Sequence, residues 1–316
     1  MSLFPRTRRA RLATLGAIAL LVLAGSTATA MPDHGHPRPP VSTTLADWQP
    51  VADALGRPGV LQAGTVFRVG FPRRDLTVTS YGVTIKPGFA LGGYAVFARY
   101  RNGQTLVMGD LVVTEAELPA VTDALQRNGI EQTAVHKHLL AHDPDLWWTH
   151  LHAVTTDPVS VARGIRAALD HTTTPPAATP TPPPPVDLDT AALDAALGAK
   201  GTNDGGIWKY SFARREPVSM HHMLVPPQMG ITTALNFQPT GDGKAAINGD
   251  FVMTGDEVQH VIQALRAGGI AIVELHQHAL DDQPRLFYMH FWANADATTL
   301  ARTLHNAVTA TNTRPL

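Results

Sequence analysis

A chain of 316 residues, 44% hydrophobic and 16% charged, is long enough for two domains that each bury a core. The formal net charge is −1 and no folded segment concentrates Lys or Arg, which argues against a general nucleic-acid binder. There is no Cys, so disulfides and thioether lipidation are excluded and stability must come from packing.

In chain order, residues 1–30 read as a signal peptide. MSLFPRTRRAR is a basic stretch, LATLGAIALLVLA an apolar one, and Ala28-Thr29-Ala30 fits a small-x-small cleavage site. The apolar run is shorter than the roughly 20 residues that span a bilayer. The expectation is an exported protein, secreted or periplasmic in the cell envelope, with no integral span after cleavage and no lipid anchor. Residues 31–44 are Pro-rich and predicted disordered, with His34 and His36 solvated rather than holding copper.

A first repeat is predicted over 45–171. It starts with a helix at Trp48–Leu55, then strands at Thr65–Gly70, Leu76–Ile85, Leu91–Tyr100 and Thr105–Val113, with Asn102-Gly103 as a hairpin turn. Thr114 and Glu117 form a capping box opening a helix that Gly129 ends; capping explains Glu117 and Glu257 better than catalysis. A hairpin of Ile130–Leu140 and Leu146–Val154, turning at Asp143-Pro144-Asp145, precedes a helix at Pro158–Leu169. Residues 172–187, rich in Pro and Thr, read as an extended semi-rigid spacer.

The second repeat, 188–310, follows the same order, with Leu188–Leu197, Ile270–Leu280, Leu286–Ala293 and Asp296–Val308 as counterparts. Aligned without a gap, residues 109–153 and 249–293 are identical at seventeen of 45 positions, which marks a duplication. The predicted class is α+β: two tandem copies of a mostly antiparallel sheet domain with helices packed on one side.

Both copies carry His-x-His and a third His fourteen residues after the first: His136, His138, His150, and His276, His278, His290. On a strand, i and i+2 share a face, and a hairpin brings the second strand alongside. If Leu140 pairs with Leu146, His136 faces His150; slipped by two, His138 faces it. Either register gathers three imidazoles per copy, the layout of a zinc site with an open position. Glu274 lies on the same face as a further ligand, and its counterpart is Ala134. A divalent metal is therefore expected as cofactor and partner, zinc foremost; a hydrogen-bonded histidine network and a metal-free acid–base or ligand site are the alternatives. Asp110 and Asp250 read either as carboxylates orienting an imidazole or as Gly-Asp strand kinks. Arg73-Arg74-Asp75 and Arg214-Arg215-Glu216 read as ion pairs on a sheet edge, with an anion site as the alternative, and Trp148 and Tyr288 share the histidine face. His221-His222 has no histidine counterpart in the first copy and no explanation from the sequence.

FPRRDL at 71–76, GVTIKP at 82–87, ALGGYAVF at 90–97, MGDLVVTEAEL at 108–118 and GIEQTAVHKHLL at 129–140 resemble the LppY/LpqO family. The resemblance covers both copies and implies an exported bacterial protein of duplicated domains, with no activity attached. His-Asn-His is the family's usual reading where this chain has His136-Lys137-His138 and His276-Gln277-His278, so the middle residue varies and the outer pair stays. Ser26 stands where the family's lipid anchor needs a Cys. Three functions are consistent with these residues. The first is a two-domain metal binder, with a small-molecule or envelope ligand as a further partner. The others are a metal-dependent hydrolase or lyase of the envelope, and a non-catalytic structural or adhesion module.

Overall fold

The computed structural model describes residues 36–316, so the predicted signal peptide and His34 lie outside the described residues. The first repeat contains strands β1 (Val60–Gln62), β2 (Val66–Pro72), β3 (Val78–Ser80), β4 (Val83–Ile85), β5 (Gly92–Arg99), β6 (Thr105–Thr114), β7 (Glu131–His136), β8 (His142–Asp143) and β9 (Leu146–Thr155). Its helices are α1 (Gln49–Leu55), α2 (Pro87–Ala90), α3 (Leu118–Arg127) and α4 (Pro158–Leu169). The second repeat contains β10 (Thr202–Asp204), β11 (Ile207–Arg214), β12 (Ser219–Met220), β13 (Met223–Leu224), β14 (Thr232–Gly241), β15 (Lys244–Thr254), β16 (Ala271–His276), β17 (Leu286–Asp296) and β18 (Thr313–Pro315). Helices α5 (Thr190–Leu197), α6 (Gly255–Ala267) and α7 (Ala297–Thr309) complete it.

The two main sheets have matching orders, β1-β2-β5-β6-β9-β7 and β10-β11-β14-β15-β17-β16, with β18 added beside β11. Neighbouring strands are antiparallel throughout, so the α+β tandem architecture holds. Phe67, Val69 and Phe71 on β2, Ala95 and Phe97 on β5 and Leu151 on β9 pack under α1, α3 and α4. In the second repeat Phe212, Leu235, Phe237, Ile247 and Phe291 pack under α5, α6 and α7 in the same way.

The opposite faces of the two sheets meet each other. Val66, Val96, Ala98, Leu106 and Met108 of the first repeat share one core with Met220, Met223, Val252, Leu286 and Tyr288 of the second. Val112, Leu146 and Trp148 share another with Ile207, Ala246 and Trp292. The result is four layers, helix–sheet–sheet–helix, with apolar burial on both faces of each sheet. β6 shows the consequence: every residue from Thr105 to Val113 is buried, because one face meets helices and the other meets the second repeat. Polar ties cross the same interface. The Tyr100 hydroxyl donates to the Leu224 carbonyl at 2.6 Å, and the Gln238 side chain brackets Lys86 N–H (2.8 Å) and the Thr84 carbonyl (2.7 Å).

Four expectations are corrected. Residues 172–187 do not space the repeats apart: the Pro176 carbonyl accepts from Arg74 at 2.7 Å and the Pro184 carbonyl from Asn203 at 2.8 Å, so the segment lies along the protein surface. Residues 36–44 of the region expected to be disordered make backbone contacts, with Arg38 bridging to Met223, Pro40 to Tyr100, and Val41 N–H donating to the Arg99 carbonyl at 2.8 Å. The strand expected over Ile130–Leu140 ends at His136, and Leu76–Ile85 is a hairpin of β3 and β4.

The ion pairs and caps are as expected. Arg73, with no exposed side-chain surface, pairs with Asp75 (2.8 Å) and Glu117 (2.7 Å), and Arg214 pairs with Glu216 and Glu257. Glu117 and Glu257 also accept from the amides of Thr114 and Thr254 at 2.8 Å, closing the capping boxes. Burial pushes Glu117 and Glu257 up, but the guanidiniums and these amides outweigh it and hold both below the ordinary glutamate value.

Candidate metal centre

β9 lies between β6 and β7, and β17 between β15 and β16. His150 is therefore flanked by Asp110 and Ala134, and His290 by Asp250 and Glu274. Since Leu151 and Phe291 point to the helices, His150 and His290 face the opposite sheet. Their closest strand neighbours are not the histidines that the spacing suggested. β7 and β16 are each interrupted by a bulge, between Gln132 and Ala134 and between Ile272 and Glu274. The register that follows puts His136 opposite Trp148 and His276 opposite Tyr288.

The chain leaves the sheet after His136 and His276, so His138 and His278 are not held by strand geometry. Contacts across the interface hold them: Asn248 donates to the His138 carbonyl at 3.1 Å, and Thr133 to the His278 carbonyl at 2.7 Å. His138 stacks on Trp148 with ring centres 4.6 Å apart, and His278 stacks on Tyr288.

The two expected trios consequently do not close within each repeat. They merge into one cluster of six. His136 lies 4.0 Å from His276, His138 3.9 Å from His290, and His150 3.8 Å from His278, centre to centre. Within each repeat the equivalent distances agree, 4.7 Å for His136–His150 and 4.8 Å for His276–His290, which describes a pseudo-twofold axis through the His136–His276 contact. Three sets of donors come within 4.8 Å of one another: His136, His150 and His276; His136, His138 and His290; and Asp250, His276 and His278. The first shares His136 with the second and His276 with the third, so they are overlapping arrangements of one centre.

Tautomers follow from hydrogen bonding. A carbonyl can only accept, so Nδ1–H of His150 donates to Gly109 at 3.2 Å, that of His290 to Gly249 at 2.7 Å, and that of His278 to Gly230 at 3.0 Å. Their Nε2 atoms then carry lone pairs and are buried; those of His150 and His290 have no hydrogen-bond partner, while that of His278 faces an Asp250 carboxylate oxygen. Nδ1 of His136 and both nitrogens of His276 are also buried and unpartnered. The His136 and His138 Nε2 atoms face each other at 2.9 Å.

Burial, first, pushes the pKa of His136, His138 and His150 well below the ordinary histidine value, and neighbouring imidazoles add to the effect. His276 and His290 move the same way for the same leading reason, and burial takes His278 to about 3 against the pull of the Gly230 carbonyl. The cluster is a set of neutral imidazoles, the form in which histidine ligates.

Asp110 and Asp250 face this cluster, with carboxylate oxygens 3.3 Å from His138 Nε2 and 3.1 Å from His278 Nε2. Burial raises both; Asp250 goes to about 6 despite His290, and Asp110 well above its usual range, with Asp250 adding to the rise. The preceding glycines have a separate reason. A Cβ on Gly109 would sit 2.4 Å from the Tyr94 carbonyl oxygen, and one on Gly249 1.9 Å from that of Ala234. Of the two readings of Gly-Asp, the carboxylate beside an imidazole is what the geometry gives; the strands run in unbroken register through both pairs, so there is no kink, and the glycines serve close strand approach instead.

Glu274 is placed differently from the expected ligand. Its carboxylate accepts the Lys137 amide of the first repeat at 2.9 Å, and it belongs to none of the three donor sets. His152 also lies apart from the six. Arg68 is a residue that sequence reading missed; its guanidinium sits 3.8 Å from the Tyr94 ring centre, on the wall of a cavity of about 540 Å³ between the repeats. His138, His150, His278 and His290 line that cavity, together with both aspartates. Nothing in the local sequence of β2 distinguishes Arg68 from a solvated strand residue.

The family described as Domain of Unknown Function (DUF1259) matches residues 49–171 and 191–310, one match per repeat. The match supports a duplicated-domain family and does not carry the LppY/LpqO name. No curated protein matches. Among solved structures, a double-ringed trimeric shell protein from the RMM microcompartment aligns with 13% identity and a TM-score of 0.18, over 65% of this chain and 82% of its own. EtuB from Clostridium kluyveri aligns with 12% identity and a TM-score of 0.21, over 82% and 95%. The trimeric microcompartment shell protein PduB gives 13%, 0.20, 78% and 86%. Superpositions this weak establish no shared fold. Among the described residues no helix is long and apolar enough to cross a membrane.

Proposed function

We propose that this chain, which belongs to the family of the Domain of Unknown Function (DUF1259), is an exported protein whose two repeats jointly bind a divalent transition metal, zinc foremost, at the six-histidine centre. One observation carries the reading: His150 and His290 are fixed by carbonyls in the tautomer that leaves Nε2 as an acceptor, and those Nε2 atoms are buried with no hydrogen-bond partner. A structural network would satisfy its members. An unsatisfied buried polar atom costs about 1–3 kcal/mol, and the centre holds several together, a cost that coordination would offset. Backbone carbonyls on the far nitrogen are also the usual way of orienting a metal-bound imidazole. Imidazole donors suit zinc, copper, iron or nickel; the donor set alone chooses no further.

The test is elemental analysis of protein refolded with Zn(II) and desalted. At least one tightly held ion per chain is expected, lost in both His150→Ala and His290→Ala. Metal no higher than the buffer blank in the refolded wild type would overturn the reading.

A second reading, a metal-dependent enzyme, draws on the cavity beside the centre. Four of the six histidines, three carboxylates (Asp110, Asp204 and Asp250), Arg68 and Lys209 line it; a metal held there would supply an activated water, and the two cations would receive an anionic substrate alongside. Turnover of an ester or phosphate panel by the zinc-loaded wild type, absent in His278→Ala, is the expected result for an enzyme; equal background in both leaves a binder.

A further inference from the structure

A second cluster of metal-ligating side chains stands outside the six-histidine centre. His152 of β9, His221 of the β12–β13 turn and Asp281 of the loop before β17 each offer a donor atom, all within 4.8 Å of one another. His221 Nδ1 is 3.0 Å from an Asp281 oxygen, and the His152 and His221 ring centres are 5.3 Å apart. His152 is 3% exposed, with Nδ1 3.4 Å from a Glu131 carboxylate oxygen and Nε2 buried without a partner. His221 and Asp281 are by contrast open to solvent, with side chains 44% and 40% exposed.

The duplication supplies an internal control. Under the pseudo-twofold axis His152 maps to Trp292, His221 to Tyr81, Asp281 to Ala141 and Glu131 to Ala271. The mirror corner keeps the same contact in apolar form, with Tyr81 and Trp292 ring centres 6.4 Å apart. The two corners differ at all four positions together: ligand types in one, aromatic and alanine in the other. Random divergence would not sort four residues from four separate segments by coordination chemistry.

The backbone points the same way. In the first repeat the turn is Tyr81-Gly82, with φ of 48° and 79°; in the second it is His221-His222, with φ of 49° and 60°. The left-handed region that Gly82 occupies without cost is here imposed on a second histidine, a strained placement of the kind that collects at sites.

We propose that His152, His221 and Asp281, with Glu131 alongside, form a second divalent-metal site at one corner of the interface between the repeats, distinct from the buried centre. Two imidazoles and a carboxylate suit zinc and its neighbours, and solvent fills the remaining positions. Ligands about 2.0 Å from a tetrahedral zinc stand about 3.3 Å apart, so His221 and Asp281 need little movement. The site takes a metal ion directly from solvent at its exposed His221 and Asp281.

The experiment counts Zn(II) per chain after refolding and desalting, with Co(II) absorption as a second readout. His221→Asn tolerates the positive φ and Asp281→Asn keeps shape at an exposed position, so both variants should fold. Each is expected to retain one ion fewer per chain than wild type and to lose part of the Co(II) visible absorption. His136→Ala is expected to keep this ion while losing the central one, which separates the two sites. Equal zinc counts and equal Co(II) spectra in wild type, His221→Asn and Asp281→Asn would overturn the proposal, whatever the result at the centre.

Discussion

At the axis between the repeats, both copies keep histidine at the same three positions; at the two corners away from it, equivalent positions have diverged into His152, His221 and Asp281 on one side and Trp292, Tyr81 and Ala141 on the other. The difference follows from symmetry. Near the axis the two copies share one cluster, with His136 on its own counterpart His276 and the pairs His138–His290 and His150–His278 packed around it, so either copy's change is felt by both. A residue off the axis meets a different residue of the other repeat, and each corner can specialise without disturbing its mirror. The centre therefore records what the duplication shares, and the corners record what each repeat has acquired.

Four measurements break or sharpen that comparison. The largest effect is expected from metal removal at the centre: with free zinc at 1,000 times Kd, chelation should lower stability by about 4 kcal/mol. The loss should disappear to the same extent in His138→Ala and His278→Ala, because the axis makes these equivalent. A chelator effect that survives in one and vanishes in the other would show that the centre is not shared.

Next is the backbone that aims the imidazoles. Gly249→Ala should cost about 3 kcal/mol in urea unfolding, the upper end for overpacking, since the new Cβ falls 1.9 Å from the Ala234 carbonyl oxygen. Gly109→Ala should cost less, its contact being 2.4 Å. The reverse ranking would mean that the two strands accommodate the added methyl differently from the geometry on either side.

The Arg clamps come third, and here the repeats should match. Arg73→Met and Arg214→Met each strand carboxylates in a partly buried site, and each should cost about 2 kcal/mol. Glu117 and Glu257 have folded pKa values below the ordinary 4.5, so they bind protons less readily in the folded state. Their contribution is complete above 4.5 and is lost as pH falls through the folded values. Melting temperature should thus drop below about pH 4.5 in wild type, and more shallowly in the Glu117→Gln/Glu257→Gln double variant. Parallel acid limbs would exclude the clamps as the cause.

The last measurement is a transplant, read as a single added ion. Tyr81→His, Ala141→Asp, Ala271→Glu and Trp292→His together write the polar corner into the apolar one. One additional zinc per chain should bind, at a loss in the metal-free state of about 3 kcal/mol from truncating the buried Trp292. An unchanged zinc count in a folded variant would show that the corners differ in more than these four residues.

Much of the fold was legible. α4 spans Pro158–Leu169 as its pattern predicted, and the Thr-x-x-Glu boxes mark α3 and α6 because capping is a local transaction between a hydroxyl, a carboxylate and two amides. The stretch TLVMGDLVV carries a further signal: outside Thr105 and Asp110 it does not alternate polar with apolar as a sheet with one wet face does, and β6 proves covered on both sides. The bulges in β7 and β16 had no sequence mark, and the pairing found, His136 opposite Trp148, lies two residues from one alternative considered and four from the other.

The sequence by itself determined the duplication, the α+β class and the six histidines at one repeated spacing, because these rest on identity and on contacts within a few residues. Only the tertiary structure decided that the six form one centre, that Glu274 serves a neighbouring amide, and that His152 joins His221 and Asp281 instead. Periodicity along a chain states which side of a strand is apolar but not what that side will meet. Here each sheet covers its second face with the other, and that long-range choice brings the imidazoles together.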